Sequence, residues 1–518
     1  MPTSRKLCLI VVDSLRTDML QSAVEAGRAP NFGALIERGT LIGDCVSSFP
    51  SVTPVACAEM VTGRGADGHW ISGMNWYQRL ERRYVEYGSS LEASRAFGIF
   101  RALYDLVYNM NLAHLNPDAE TLFEHLDDAG LHTACTPFLI YRGRHRHQVS
   151  LEGLMRRAVD ATRLKFRHHT WGPAELFYGD LYASSEVPCK PSSIPGSRDG
   201  YSACCAAALA REGSFDFLLL SLPDNDNYSH RHGPQASVES IAKADHCFGK
   251  LVEAAGGLDA FLADHALLLL ADHAQTRVRR GLPLAELLAR EWAVLRPSDA
   301  TPEQAQLAVS PTGRAAHVYL LAGESPPDAE QVRQALVSIE GVELVCRLTG
   351  ADGAPLERRE PGVPAEGAVA VIERGERQLR FHPAQVKRFV SPMGIQNVSP
   401  VGDLRGGIWR IEGDLSVLEA RIEDGRLRSE AFPDPLARVW SALCAPHAGD
   451  FVLSLAEGYE AVDWGGVTHV GGGSHGSLRA GDSLGPLLLV GCGPDDPSER
   501  EQWTLRDVAP IVLEHFGL

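Results

Sequence analysis

No stretch of this 518-residue chain approaches the roughly 20 consecutive apolar residues needed to cross a bilayer, so no membrane partner is expected. The first apolar run, residues 7–12, follows Arg5 and Lys6 in the manner of a secretory signal. It stops at Asp13, too soon for a signal's hydrophobic region, and reads better as a first strand. Basic residues are in the minority: 49 Lys and Arg against 66 Asp and Glu give a formal net charge of -17. That balance excludes a nucleic acid polymer as an extensive phosphate-contacting partner. A small phosphate substrate stays open, because bound divalent cations reverse the field locally. The eleven cysteines show no Cys-x-x-Cys spacing, and Cys204 and Cys205 are adjacent. Neither a zinc ribbon nor a disulfide framework is suggested, the pair reads as core packing, and a reducing, cytoplasmic location is expected. Internal repeats and low-complexity segments are absent too. What remains is an ordinary globular composition, 44% hydrophobic and 22% charged, on a chain too long for one simple core.

The stretch 215–234, FDFLLLSLPDNDNYSHRHGP, organises the rest. Residues 217–222 form a continuous apolar run suited to a strand covered on both faces, and ligands in such sheets bind beyond the carboxyl ends of the strands. The loop that follows carries Asp224, Asp226, His230 and His232. Residues 267–270 repeat this grammar and end in Asp272-His273; residues 7–12 do so and end in Asp13. Carboxylates are almost never buried unless paired or bound to metal, so three strands ending in Asp point to one metal site assembled from strand ends. Hard oxygen and imidazole donors without clustered thiolates suit zinc, with manganese as the other candidate. His475, in GGGSHGS, is the late residue that completes the set; His469 is its rival.

Thr53 lies where an extended Phe49-Pro50 segment gives way to a helix, a place that favours a developing anion, although an N-cap followed by Pro54 at the first helical position is the plainer reading. Residues 87–115 read as an amphipathic helical insertion near the site mouth, with Phe97, Phe100, Leu103, Val107 and Met110 on one face. The basic run RGRHRH, 142–147, reads as a solvated charge run, with contact to a phosphate as the sharper alternative. Residues 237–255 read as the helix returning across the sheet to the Asp272 strand. Past His273 the character changes to a small α+β unit. The expected organisation is a core first part at 1–276, an inserted α+β cap domain at 277–428, and a core second part at 429–518, which opens with a helix at 435–444 and a core strand at 451–455.

Asp13, FPSVTPVACAEMVTG with Thr53, the loop ending in His230-Arg231-His232-Gly233-Pro234, Asp272-His273 and Gly473-Ser474-His475-Gly476 together resemble the alkaline phosphatase superfamily. Within it the chain is most similar to the type I phosphodiesterase and nucleotide pyrophosphatase branch. The motifs follow the family's order and span the core without the inserted unit. The resemblance implies an alkaline phosphatase-like α/β/α sandwich with a largely parallel sheet, and two divalent metal ions roughly 4 Å apart. One would be held by Asp13, Thr53, Asp272 and His273, the other by Asp226, His230 and His475. Spacing from the histidine selects Asp226, the proline-aspartate context selects Asp224, and spacing is the stricter demand. Thr53 would attack phosphorus and form a phosphothreonyl enzyme that is hydrolysed in a second step. The expected activity is hydrolysis of phosphodiester or nucleotide pyrophosphate bonds in a small phosphate-ester substrate. A phosphomonoesterase or phosphonate hydrolase on the same core is the alternative, and a non-catalytic scaffold is the alternative of another class. Two departures bear on specificity: family members commonly have an aromatic residue after the threonine and an asparagine three positions after it, and here Pro54 and Ala56 stand there. Asn75, in GMNWY, matches a recurrent family segment or serves as a turn residue.

Overall fold

The computed structural model describes residues 6–148, 169–179, 182–192, 194–299, 301–354, 356, 367–384 and 400–518. The three apolar runs form the middle of an eight-stranded sheet. Lys6–Val12 lies between Phe217–Leu222 and His265–Leu270, parallel to both, with Leu9 opposite Leu219 on one side and Leu268 on the other. Thr133–Cys135 and Glu175–Tyr178 extend the parallel set, and the short Tyr182–Ala183 closes that edge. On the far side Leu484–Val490 runs antiparallel to His265–Leu270, and Thr40–Val46 is antiparallel to it in turn.

Successive side chains of a strand point to opposite faces, which is why these runs are apolar throughout. Leu7, Leu9 and Val11 join the core beneath the helices Thr53–Thr62, Leu122–Asp128 and Val508–Phe516. Cys8, Ile10 and Val12 join the one beneath Thr17–Glu25, Arg198–Glu212 and Val238–Ala254. Helices on both faces make the expected three-layer sandwich. Val238–Ala254 is the crossover between the Asp226 and Asp272 strands. With both faces closed, the open places are the strand ends, and Asp13 and Asp272 follow directly there.

A second, ten-stranded sheet begins Leu307–Thr312, Ala315–Leu320, Phe451–Leu455, Val342–Thr349, Val369–Arg374. The expectation that 451–455 rejoins the main sheet is corrected here. Phe451–Leu455 pairs antiparallel with Ala315–Leu320 and with Val342–Thr349. A short, wholly buried apolar run has the same pattern in either sheet, so periodicity could not name its partners. A division at residue 428 separates this strand from both of them. The turn-rich stretch 351–367 lies for the most part outside the described residues, as do residues 149–168.

Two further readings change. Cys204 is joined to Cys189 in a disulfide, because the preceding segment returns to the helix Arg198–Glu212 and brings the two Cα atoms to 5.8 Å. Cys205 is buried in the core as expected. The cysteine pattern therefore no longer speaks for a reducing compartment. The basic run divides: Arg142 is buried and donates to Glu124 at 3.0 Å, whereas Arg144, His145 and Arg146 are exposed as read, Arg144 pairing with Glu120, Glu124 and Asp128. The segment 91–114 is helical, as read: Leu91–Phe97, Ile99–Tyr104 and a π-helical Asp105–His114.

One ion pair ties the two sheets together. Arg314, in the turn between two strands of the second sheet, is fully buried and donates to Asp482 Oδ1 at 2.6 Å, just before the main-sheet strand Leu484–Val490. Its other donors reach Thr276 and the carbonyls of Tyr459 and Ala456. Asp482 also accepts from the Ser477 amide and hydroxyl, fixing the loop that carries His475. Removing one partner leaves an uncompensated buried charge, so Arg314→Ala should cost about 3–5 kcal/mol, read as a lower midpoint in chemical denaturation.

Candidate metal centre

Each of the seven expected residues reaches one place. Asp13 ends the central strand. Asp272 and His273 lie just past the end of the neighbouring one. Asp226 and His230 lie one turn apart on the helix Asp224–His232, which starts immediately after Phe217–Leu222 and so aims its first turn across the strand ends. Thr53 is the first residue of its helix, one position inside the Val52 cap. The plain N-cap reading is thus replaced: the Thr53 hydroxyl lies 3.2 Å from His273 Nε2. His475 follows the two-residue strand Gly473–Ser474.

The donor atoms form two groups that share a member. Asp13, Asp272 and His273 offer ligand atoms within 4.8 Å of one another, and so do Asp226, His273 and His475. His230 Nε2 lies 3.3 Å from Asp226 Oδ1, and His475 Nε2 lies 3.7 Å from the same atom. His230 Nδ1 donates to the Gly473 carbonyl and His475 Nδ1 to that of Ser51, each at 2.8 Å. A carbonyl only accepts, so Nδ1 carries a proton in both rings and both turn the Nε2 edge toward the centre; in the neutral His475 that edge is a lone pair, while in His230 it meets Asp226.

The electrostatics describe a site short of positive charge. Burial, followed by the charges of Asp272 and Asp226, holds the Asp13 carboxyl well above the usual range. Burial likewise raises Asp272 to about 6. Burial lowers His273 to about 4 and His475 to about 3, leaving both as the neutral imidazoles that bind metal. Burial would raise Asp226 and lower His230, but their mutual attraction overrides it: Asp226 stays well below its ordinary range and His230 rises to about 9. Asp13 Oδ1 and Asp272 Oδ2 are buried without a hydrogen-bond partner among the described residues. Orphaned carboxylate oxygens facing neutral imidazoles are the donor set of a divalent cation, and the residues fit one.

The two aspartates after strand 217–222 do different work. Asp224 accepts from the Gly196 amide at 2.7 Å, Arg198 Nε at 3.0 Å and the Asp199 amide at 3.1 Å, tying down the start of the helix Arg198–Glu212. Asp226 faces the centre. Sequence reasoning missed two of its partners: Ser14 Oγ donates to Asp226 Oδ1 at 2.7 Å and lies 3.1 Å from His273 Nδ1, and Gln275 Nε2 donates to Asp226 Oδ1 at 2.5 Å. Each sits within two residues of an expected ligand, and that adjacency was the available signal. Asn75 is buried in a strand, its amide given to the Pro311 carbonyl, so it is no turn residue. The glycines before His475 are required by close approach, since a Cβ at Gly472 would collide with the His230 carbonyl. His469, the rival to His475, packs its ring 4.0 Å from that of His230 and is bound to the buried Glu460 at 2.7 Å.

A largely parallel sandwich with carboxylates, imidazoles and a threonine hydroxyl gathered at its strand ends defines the alkaline phosphatase-like class. Residues 7–358 match the model of the family described as type I phosphodiesterase / nucleotide pyrophosphatase. The chain belongs to this family and, as a member, is a hydrolytic enzyme. In fold it is similar to phosphonoacetate hydrolase from Sinorhizobium meliloti 1021, solved in complex with phosphonoformate, at 15% identity and a TM-score of 0.53 over 99% of this chain and 96% of that one. It is also similar to murine ectonucleotide pyrophosphatase / phosphodiesterase 5, solved as an inactive variant in complex with AMP, at 13% identity and 0.53 over 99% and 95%. The human protein of that name gives 13% and 0.54 over 98% and 94%. The sequence matches none of the curated proteins with which it was compared.

If Asp226 is the ligand, Asp226→Ala purifies with less than about half the metal of the parent by elemental analysis, while Asp224→Ala keeps its metal; the reverse result would exchange the two assignments.

Proposed function

We propose that the chain is a metal-dependent hydrolase of phosphodiester or nucleotide pyrophosphate bonds that works through a phosphothreonyl enzyme. The observation that carries this is the Thr53 hydroxyl at the edge of the Asp13, Asp272 and His273 group, at a helix start. Asp13, Thr53, Asp272 and His273 would hold one divalent cation and Asp226, His230 and His475 a second, zinc or manganese. Such a pair supplies Lewis-acid charge for an in-line displacement and lowers the proton affinity of bound oxygen.

The chain's own groups do the rest. Thr53 supplies the nucleophilic oxygen, and because its backbone is fixed in the helix start, that oxygen is presented without a search over rotatable loop conformations. Ser14 and Gln275 hold Asp226, and the Ser51 and Gly473 carbonyls hold His475 and His230, so the acceptors face the substrate before it arrives. Hydrolysis of the phosphothreonine in a second in-line step returns the hydroxyl and gives net retention at phosphorus. The neutral His273 beside Thr53 is read as a ligand, and no histidine is assigned as general base.

Pro54 and Ala56 favour a second reading on the same core, phosphonate or monoester hydrolysis. Pro54 lacks the N–H that would bind a phosphate oxygen, and Ala56 lacks an amide. Relative turnover of bis-p-nitrophenyl phosphate, p-nitrophenyl phosphate and phosphonoacetate separates the two. Thr53→Ala should lower kcat by about 10³-fold or more with metal content nearly unchanged. EDTA should stop turnover of the parent, and added zinc or manganese should restore it. Survival of turnover in the Thr53 variant would remove the nucleophile assignment, and indifference to EDTA would remove the metal.

A further inference from the structure

Four imidazoles run in a row across the centre. His273 stacks on His475 with ring centroids 3.7 Å apart, His475 is 5.2 Å from His230, and His230 is 4.0 Å from His469. Side-chain exposure rises steadily along it, 0%, 9%, 15% and 33%, so the row leads from the Thr53 end out to solvent. Attacking and leaving groups stand on opposite sides of phosphorus in phosphoryl transfer. Thr53 stands beside His273 at the buried end of the row, so on the reading of Thr53 as nucleophile the outer end, at His469, is the side left for a leaving group.

What stands at that outer end is organised. Glu460, 4% exposed, accepts from the His469 amide at 2.6 Å and from its Nδ1 at 2.7 Å, which fixes the ring and leaves the Nε2 edge for a ligand. Arg277 lies on the two-residue strand Thr276–Arg277, which pairs with Gly473–Ser474. Its strand partner is Gly473, whose carbonyl holds His230. Gln275, just before the strand, reaches Asp226 with its amide, whereas Thr276 turns inward to Asp482. In the two-residue strand Thr276–Arg277, alternation sets the Arg277 side chain on the face opposite Thr276. It is exposed and makes no ion pair among the described residues.

We propose that Arg277 and the Glu460-held His469 form a recognition rim on the leaving-group side, selecting substrates whose leaving group carries a second anionic group, a phosphate or a carboxylate. This rests on the reading of Thr53 as nucleophile. A guanidinium and a fixed imidazole edge match the oxygens of such a group; the Glu460 bond occupies Nδ1 of His469 and leaves its Nε2, like the Arg277 guanidinium, for a ligand. The rim supplies binding that a substrate with an uncharged leaving group does not use, so it acts on the ratio between substrates.

The test compares kcat/KM for three substrates: ATP, with a phosphate-bearing leaving group; phosphonoacetate, with a carboxylate-bearing one; and bis-p-nitrophenyl phosphate, with neither. The parent is set beside Arg277→Ala, Arg277→Lys and His469→Ala, and bound metal is measured in each. Arg277→Ala and His469→Ala are expected to lower the ATP or the phosphonoacetate value about tenfold further than the diester value. The loss should lie mainly in KM, metal should be unchanged, and Arg277→Lys should recover part of it. Whichever of the two anionic substrates responds identifies the group recognised. Equal effects on all three substrates, or a parent that turns over neither anionic substrate while cleaving the diester, would overturn the rim. Loss of turnover in Thr53→Ala beside unshifted ratios would sink the rim and spare the nucleophile; surviving turnover beside shifted ratios would do the reverse.

Discussion

Carboxylates crowded into a largely buried place repel one another and resist ionisation unless something positive is brought in. Asp13 and Asp272 are held in this condition beside Asp226, whose charge His230 offsets, and the parts of the chain around them are arranged to sustain it. The strands of the main sheet end together, two with an aspartate just beyond. The helix after the third strand carries Asp226 back over the same spot, and Ser14, in the left-handed region at φ 57, bends the chain just past Asp13 so that its hydroxyl meets Asp226 and His273. The imidazoles around the acids are buried and kept neutral, except His230, whose charge is tied to Asp226. A polypeptide cannot solve this problem with one segment. It draws on strand ends more than 200 residues apart, and the apolar strands are the scaffold that makes the meeting reproducible.

The second sheet takes part in that scaffold. Leu344, Cys346, Ala370 and Ile372 belong to the same apolar cluster as Val55 and Met60 of the Thr53 helix. On the polar side, the Arg314 amide donates to the His475 carbonyl at 2.6 Å, while the Arg314 side chain holds Asp482. The position of the last imidazole is therefore decided jointly by both sheets.

Much of this was legible in the residues. The continuous apolar runs announced strands covered on both faces, the acids at their ends announced the site, and the four-residue interval from Asp226 to His230 distinguished that acid from Asp224. What escaped had a common cause: it depended on partners far away in sequence. The run 451–455 was readable as a strand, but its neighbours were not. Cys204 read as packing because nothing in a 15-residue separation says that the chain doubles back. Arg142 read as solvated because its buried acceptors, Glu124 and several carbonyls, come from the segment before it. Ser14 and Gln275 are ordinary residue types whose importance comes from where the backbone aims them.

The Arg314–Asp482 contact also bears on how such a molecule can be taken apart. Where the amino-acid pattern shifts, past residue 277, one would draw a cutting line and treat the following unit as an accessory to be trimmed or exchanged. The tie runs across that line and ends on the loop of the final imidazole, so excision would strand an acid and loosen His475 even though none of the seven proposed ligands lies in the excised part. Architectural boundary and chemical boundary do not coincide here, and the smaller half is a structural member of the site that it does not line.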